Sequence, residues 1–160
     1  MARLRIGGGV VKAPVCGRTA VGLRRTTNED GFVIRDLARE VAFQQTYVVE
    51  QPVGARGVLV AVCDGMGGQN AGEVASSLAL EALEEEMQRL SDACPRPELL
   101  KKAVEIVNRR VWTEASLNPD LSGMGTTLTA ALICQSRVLI AHVGDSRAYF
   151  ARNCRVDQVT

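Results

Sequence analysis

The chain has 160 residues, 46% hydrophobic and 23% charged, which suits one globular domain able to bury roughly 70% of its unfolded surface. With 19 basic against 18 acidic residues the net charge is +1, and aromatics are only 4%, so nothing indicates a polyanion partner or a stacking platform for nucleic acid. No apolar run reaches the roughly 18 residues of a membrane span, and the N-terminal MARLRIGGGVVKAP lacks the apolar core of a signal peptide, so the expectation is a cytoplasmic protein with no membrane segment. The five cysteines, at 16, 63, 94, 134 and 154, are odd in number and form no C-x-x-C pair, which predicts free thiols in a reducing compartment. With His142 as the single histidine, a zinc finger is excluded.

Residues 1–15 read as an N-terminal arm or an incoming edge strand, ahead of a domain over 16–160. The polar stretch 26–30 leads into a strand starting at Gly31, and Tyr47, Val48 and Val49 make a short strand candidate. A Pro- and Gly-marked loop over 51–57 precedes the central strand, 58–63, which is uncharged and rich in β-branched residues. Asn70 and Glu73 have the spacing of a capping box and open a helix. Its apolar positions are Val74, Leu78, Ala82, Leu83, Met87 and Leu90, with Glu81, Glu84, Glu85 and Glu86 on the solvated side. A second helix over 97–115 carries Leu100, Ala103, Val104, Val107 and Val111 in one stripe, with Pro97 in its first turn. Residues 126–134, 137–143 and 147–151 then read as three strands of an antiparallel meander. Strands, two helices and strands again predict an α+β fold, an antiparallel helix pair packed on an antiparallel sheet.

Three acidic clusters fall at strand or turn ends: Glu29 with Asp30, Asp64, and Asp145, each beside a glycine. Carboxylates of this kind, without paired cysteines or histidines, suit hard oxygen-liking cations such as magnesium or manganese. Brought together without a cation they would repel and some would protonate. Each cluster also has a plain structural reading: turn capping at 29–30, a capped strand-to-helix turn at 64, an Asx-turn at 145. Arg25 and Arg147 lie close in sequence to two of the clusters, and a guanidinium matches phosphate oxygens bidentately.

Other hydrolytic chemistries lack their residues. An arginine six positions after a cysteine, needed by a thiol phosphatase, is absent; those positions are Gly22, Gln69, Leu100, Ile140 and Thr160. There is no D-x-D, no G-x-S-x-G elbow, and no Gly-Lys-Ser/Thr after the glycines at 65–68. Gly144-Asp145-Ser146 resembles the nucleophile block of some lipases, but its base would have to be His142 on the same strand.

With these residues in view, the sequence resembles the metal-dependent serine/threonine protein phosphatases of type 2C, the PPM class. Four blocks carry the resemblance, in the family's order: Gly22 to Asp30 (GLRRTTNED), Asp64 to Gly68 (DGMGG) with Gly72-Glu73 and Ala75-Ser76, Gly125 to Leu128 (GTTL), and Ala141 to Tyr149 (AHVGDSRAY). Met66 in the second block is similar to bacterial members. The resemblance implies a sandwich of two antiparallel sheets between helix pairs, and hydrolysis of phosphoserine and phosphothreonine proteins in opposition to a serine/threonine kinase. It implies two manganese or magnesium ions bridged by Asp64, one of them ligated by the carbonyl of Gly65. Glu29 and Asp30 would act near the ions through bound water, Arg25 would bind the substrate phosphate, and Asp145 would help hold a third, weaker ion. The water between the ions would attack phosphorus in line, with no covalent phosphoenzyme. The family's later blocks, with further metal-binding aspartates, have no counterpart, since only Asp157 follows Asp145. The chain therefore resembles the first part of such a domain. It is expected to be impaired or inactive by itself, or to be a non-catalytic module that binds a phosphoprotein or a regulatory partner.

Overall fold

Among the described strands the longest is β4, Val58–Met66, and it places the rest of the fold. The computed structural model describes residues 2–5, 14–23, 26–39, 41–43, 53, 56–68, 71–89, 97–134 and 137–160. On one side β4 pairs with β2, Asp30–Asp36, and on the other with β6, Leu128–Cys134. β6 pairs with β7, Arg137–Val143, and β7 with the edge strand β1, Ala2–Arg5. β3, Val41–Phe43, closes the other edge by pairing with β2, and the short β5, Gly125–Thr126, pairs with the far end of β4. Every pairing is antiparallel, in the order β1-β7-β6-β4-β2-β3.

Two helices cover one face of this sheet: α1, Ala71–Arg89, lies against β2 and β4, and α2, Pro97–Leu117, packs on α1. Strand alternation sends Leu59, Ala61 and Cys63 toward the helices, where they join Leu128, Ala130 and Leu132 in the core. α1 meets them through small residues, Ala75, Ala79 and Ala82, together with Leu83 and Met87. The expected stripe holds at Leu78, Ala82, Leu83 and Met87 but departs at Val74, which is 38% exposed, and Ala75 and Ala79, which are fully buried, widen it. Alanines carry little hydropathy signal, yet they let the helix axis approach the sheet closely. The stripe of α2 is as the spacing predicts, with Leu100, Ala103, Val107 and Val111 buried. The acidic run stays at the surface or in ion pairs, Glu84 with Arg35 at 2.9 Å and Glu85 with Arg110 at 2.6 Å.

The α+β architecture matches the expectation, with differences in three places. β4 runs three residues past Cys63, so Asp64, Gly65 and Met66 are strand rather than turn. The third strand of the expected meander, β8 at Tyr149–Arg152, does not pair with β7 but forms a separate hairpin with β9, Arg155–Gln158. The turn between them, Asn153 and Cys154, has positive φ at both residues (51° and 58°), the geometry of a two-residue hairpin turn. Asn-Cys carries none of the usual glycine signal, which is why the sequence reading stopped at residue 151. Third, Cys134 is disulfide-bonded, to a partner outside the described residues, while Cys16, Cys63 and Cys154 are free. That corrects the expectation of five free thiols and removes the redox argument for a reducing compartment. The candidate strand at 47–49 and the cap at Asn70 lie outside the described residues. No helix among the described residues is long and apolar enough to cross a membrane.

The packing predicts a sharp contrast on α1. Leu83→Ala, at a fully buried site, should cost about 2–5 kcal/mol, whereas Val74→Ala should cost about 0.5 kcal/mol or less. Urea unfolding followed by circular dichroism measures both.

Candidate metal centre

The register of β2 on β4 sets Asp30 directly opposite Asp64. Opposed residues of an antiparallel pair hold their Cβ atoms roughly 5 Å apart, and two like charges so placed repel. Both carboxylates lie on the face away from the helices and line a cleft of about 300 Å³ with Arg18, Thr19, Phe32, Val62 and Ser146.

The backbone at Asp64 is held more tightly than ladder pairing requires. β5 and β6 keep one register across Thr127, with Val62 opposite Thr129 and Gly65 opposite Thr126, so Thr127 stands opposite Asp64. The Thr127 N–H donates to the Asp64 carbonyl at 2.9 Å, and the Thr126 hydroxyl donates to the same oxygen at 3.0 Å. The Asp64 N–H does not go to a strand carbonyl; it donates to Thr127 Oγ1 at 3.0 Å. Thr127 Oγ1 in turn lies 2.7 Å from Ser146 Oγ.

Asp30 is anchored by its neighbours. Its N–H donates to Asn28 Oδ1 at 3.2 Å, and Asn28 Nδ2 donates to Thr19 Oγ1 at 2.8 Å. Glu29 takes the other side of the sheet. Its carbonyl accepts from the Gly65 N–H at 3.0 Å, and its side chain reaches the start of α1, where a Cβ on Gly72 would sit 3.0 Å from Glu29 Cδ. A carboxylate at a helix N-terminus is favoured by the macrodipole. The first turn of α1 also presses on the strand: a Cβ on Gly65 would lie 1.9 Å from the Gly72 carbonyl oxygen. Only glycine fits there.

Asp145 sits in the turn after β7 and is exposed. That turn begins at Gly144, whose φ is +101° and whose Cβ, if present, would be 2.7 Å from Thr127 Cγ2. The turn therefore brings Ser146, rather than Asp145, into the lining of the Asp30–Asp64 cleft. Arg25 lies outside the described residues. Arg147 donates to the Tyr149 hydroxyl at 3.4 Å and borders an apolar depression with Phe32, Val60 and Val62. Sequence reasoning assigned no part to Arg18, Thr127 or Ser146. Thr127 and Ser146 stood inside blocks already quoted, but nothing in spacing pairs two hydroxyls 19 residues apart, and Arg18 carried no signal.

Two alternative chemistries fail on geometry. His142 Nδ1 lies 2.9 Å from Thr129 Oγ1 and Ser146 pairs with Thr127, so no His–Ser dyad forms. Burial pushes the Cys63 thiol up to about 12, a hydrogen bond with the Thr126 side chain opposing it more weakly, so it is a core thiol and no nucleophile. The donors gathered at the cleft are carboxylate oxygens beside a fixed backbone, which suits a hard divalent cation. Among the described residues no group of three or more His, Cys, Asp and Glu is assembled, so these residues fit part of a metal site.

Residues 44–160 match the family model described as Protein phosphatase 2C. The chain belongs to the protein phosphatase 2C family. It is 44% identical over 114 residues to the serine/threonine protein phosphatase PstP of Mycobacterium tuberculosis, a match covering 69% of this chain and 21% of PstP. It is 42% identical over 105 residues to the serine/threonine phosphatase stp of Listeria monocytogenes, covering 64% of this chain and 42% of that protein. A crystal structure of the PstP catalytic domain in complex with two manganese ions superposes with a TM-score of 0.68 at 35% identity, covering 89% of this chain and 53% of that one. The part of the phosphatase 2C fold expected from the four blocks is therefore the fold of the described residues. The chain spans less than half the length of these two curated relatives.

Two outcomes test this geometry. Gly65→Ala should push α1 off the strand end and cost about 1–3 kcal/mol or more, read by urea unfolding. Iodoacetamide at pH 8 should modify the exposed Cys16 and Cys154 and spare Cys63 until urea is added, read by peptide mass spectrometry.

Proposed function

We propose that the protein carrying this chain is a manganese- or magnesium-dependent phosphatase of phosphoserine and phosphothreonine proteins, acting in the cytoplasm against a serine/threonine kinase. The observation that carries the reading is the opposed pair Asp30 and Asp64 in one cleft, with the Asp64 peptide fixed by Thr126 and Thr127. Two carboxylate-bearing positions so opposed make a seat for a hard divalent cation. Membership of the family, and the two manganese ions named for the PstP catalytic domain, support it further.

In this reading Asp64 and the Gly65 carbonyl would hold the ions and Asp30 would hold water near them, while Glu29, whose side chain turns to the start of α1, would act on them only through further water. Asp145 contributes to a third, weaker site. When bound, the ions supply the Lewis acidity that activates water and offsets charge on the phosphoryl oxygens. Arg25 holds the substrate phosphate through a bidentate contact. Met66 has no proton to give, so the leaving oxygen is protonated from elsewhere. A second reading, a non-catalytic module that holds a phosphoprotein or regulatory partner, draws on the two-carboxylate cleft, which is short of a full ligand set among the described residues.

Turnover of a phosphothreonine peptide by the complete protein separates the two. Activity should need manganese and vanish with chelator. Asp64→Asn should lower it roughly a hundredfold or more, in line with the several kcal/mol a catalytic metal supplies. The 160-residue chain alone should bind manganese weakly and turn over little. Activity that persists in chelator and ignores Asp64→Asn overturns the phosphatase reading. Tight phosphopeptide binding without turnover by the complete protein supports the second.

A further inference from the structure

We propose that Thr127 and Ser146 are positioning residues: their paired hydroxyls set the orientation of the Asp64 peptide and tie the turn bearing Asp145 to it. The inference rests on the metal-site reading of Asp64 and deepens it. Three observations converge. The Asp64 N–H, which the β4 register would deliver to the Thr127 carbonyl, goes instead to Thr127 Oγ1 at 3.0 Å. The Thr127 carbonyl lies 3.0 Å from the Thr126 hydroxyl, whose one proton it shares with the Asp64 carbonyl, also at 3.0 Å. Thr127 Oγ1 is also 2.7 Å from Ser146 Oγ, and Gly144 packs without a side chain against the Thr127 methyl.

A threonine hydroxyl has one donor and two acceptor sites. Accepting from the Asp64 N–H leaves its proton and one lone pair, and either serves Ser146. The result is a chain from the Asp64 amide through Thr127 to Ser146, whose links polarise one another. Rotation of the Asp64 peptide about the strand axis would break the first link, so the carboxylate direction is held without any contact to the carboxylate itself. The second link ends one residue from Asp145. An acidic position on β4 and another in the turn after β7 are thereby held in mutual register by one pair of hydroxyls. Thr127→Val keeps the shape and removes the hydroxyl, Thr127→Ser keeps the hydroxyl, and Ser146→Ala cuts only the second link.

The test uses the complete protein that carries this chain. In metal-free protein, amide hydrogen exchange at Asp64 is read by NMR; manganese affinity is read by calorimetry and the KM–kcat split by peptide turnover. Thr127→Val should speed Asp64 exchange and weaken manganese binding about tenfold each, the worth of one hydrogen bond. Thr127→Ser should stay within about threefold of the parent in both, and Ser146→Ala should weaken manganese binding about threefold or more, as a partial loss of one bond. All three should act on kcat more than on KM. Parent-like exchange and affinity in Thr127→Val overturn the proposal. So does a Thr127→Ser variant as impaired as Thr127→Val, since packing rather than the hydroxyl would then be at work. If the parent protein binds no manganese, the phosphatase reading has failed, and the exchange rates alone decide the hydroxyl pair.

Discussion

The structure depends on a strand register that sets two carboxylate-bearing positions opposite each other. Asp30 and Asp64 face each other because β2 and β4 are locked in register by seven consecutive pairs, from Asp36 with Val58 to Asp30 with Asp64. Slipping β2 by one residue would part the two positions but would turn Val33 out of the core. The apolar pattern of the strands therefore holds the charges in place. A cation seated between the two positions would be within reach of both carboxylates.

Support for that arrangement comes from close backbone approach. Gly65 and Gly72 touch, with Ala75 and Ala79 continuing the seam along α1, so helix and strand end move as one body. The Glu29 carbonyl on the Gly65 N–H joins the next segment to the same point. Four stretches distant in sequence, 28–30, 64–65, 126–127 and 144–146, thus meet through main-chain groups and hydroxyls. Carboxylates that have to be held against repulsion are best held by their backbone, since their side chains must stay available to a ligand.

Those four stretches are the four blocks visible in the sequence, so the identity of the site was legible there, while its wiring was not. Spacing located the helices within a residue or two where they are described, because 3.6-residue periodicity survives averaging over 19 or 21 residues. It missed Ala75 and Ala79 on the face of α1 and misplaced Val74, and it missed β9, where a non-glycine pair makes the turn. It also treated Glu29 and Asp30 as one cluster, although alternation along an extended chain sends neighbours to opposite faces. The bond between Thr127 and Ser146 depends on a register across three strands, which no local pattern encodes.

The face that bears Asp30 and Asp64 also carries an apolar stretch, next to the hydrogen-bonded pair Thr129 and His142. Phe32 and Ile34 on β2 continue across Val60 and Val62 on β4 to Ala131 on β6 and Ile140 on β7, with Val62 still 47% exposed. Helices cover the opposite face only, and the hairpin of β8 and β9 stands apart from the sheet. A two-stranded hairpin has little stability of its own, and within the apolar stretch Ile34 and Ile140 are buried while Val62 stays exposed. Whatever covers Val60 and Val62 would also wall the cleft at its open side. Lowering the dielectric there would strengthen the repulsion between the two carboxylates and, by the same factor, their attraction for a cation between them. The apolar stripe and the acidic pair are therefore one design. The first decides how much the second needs a metal.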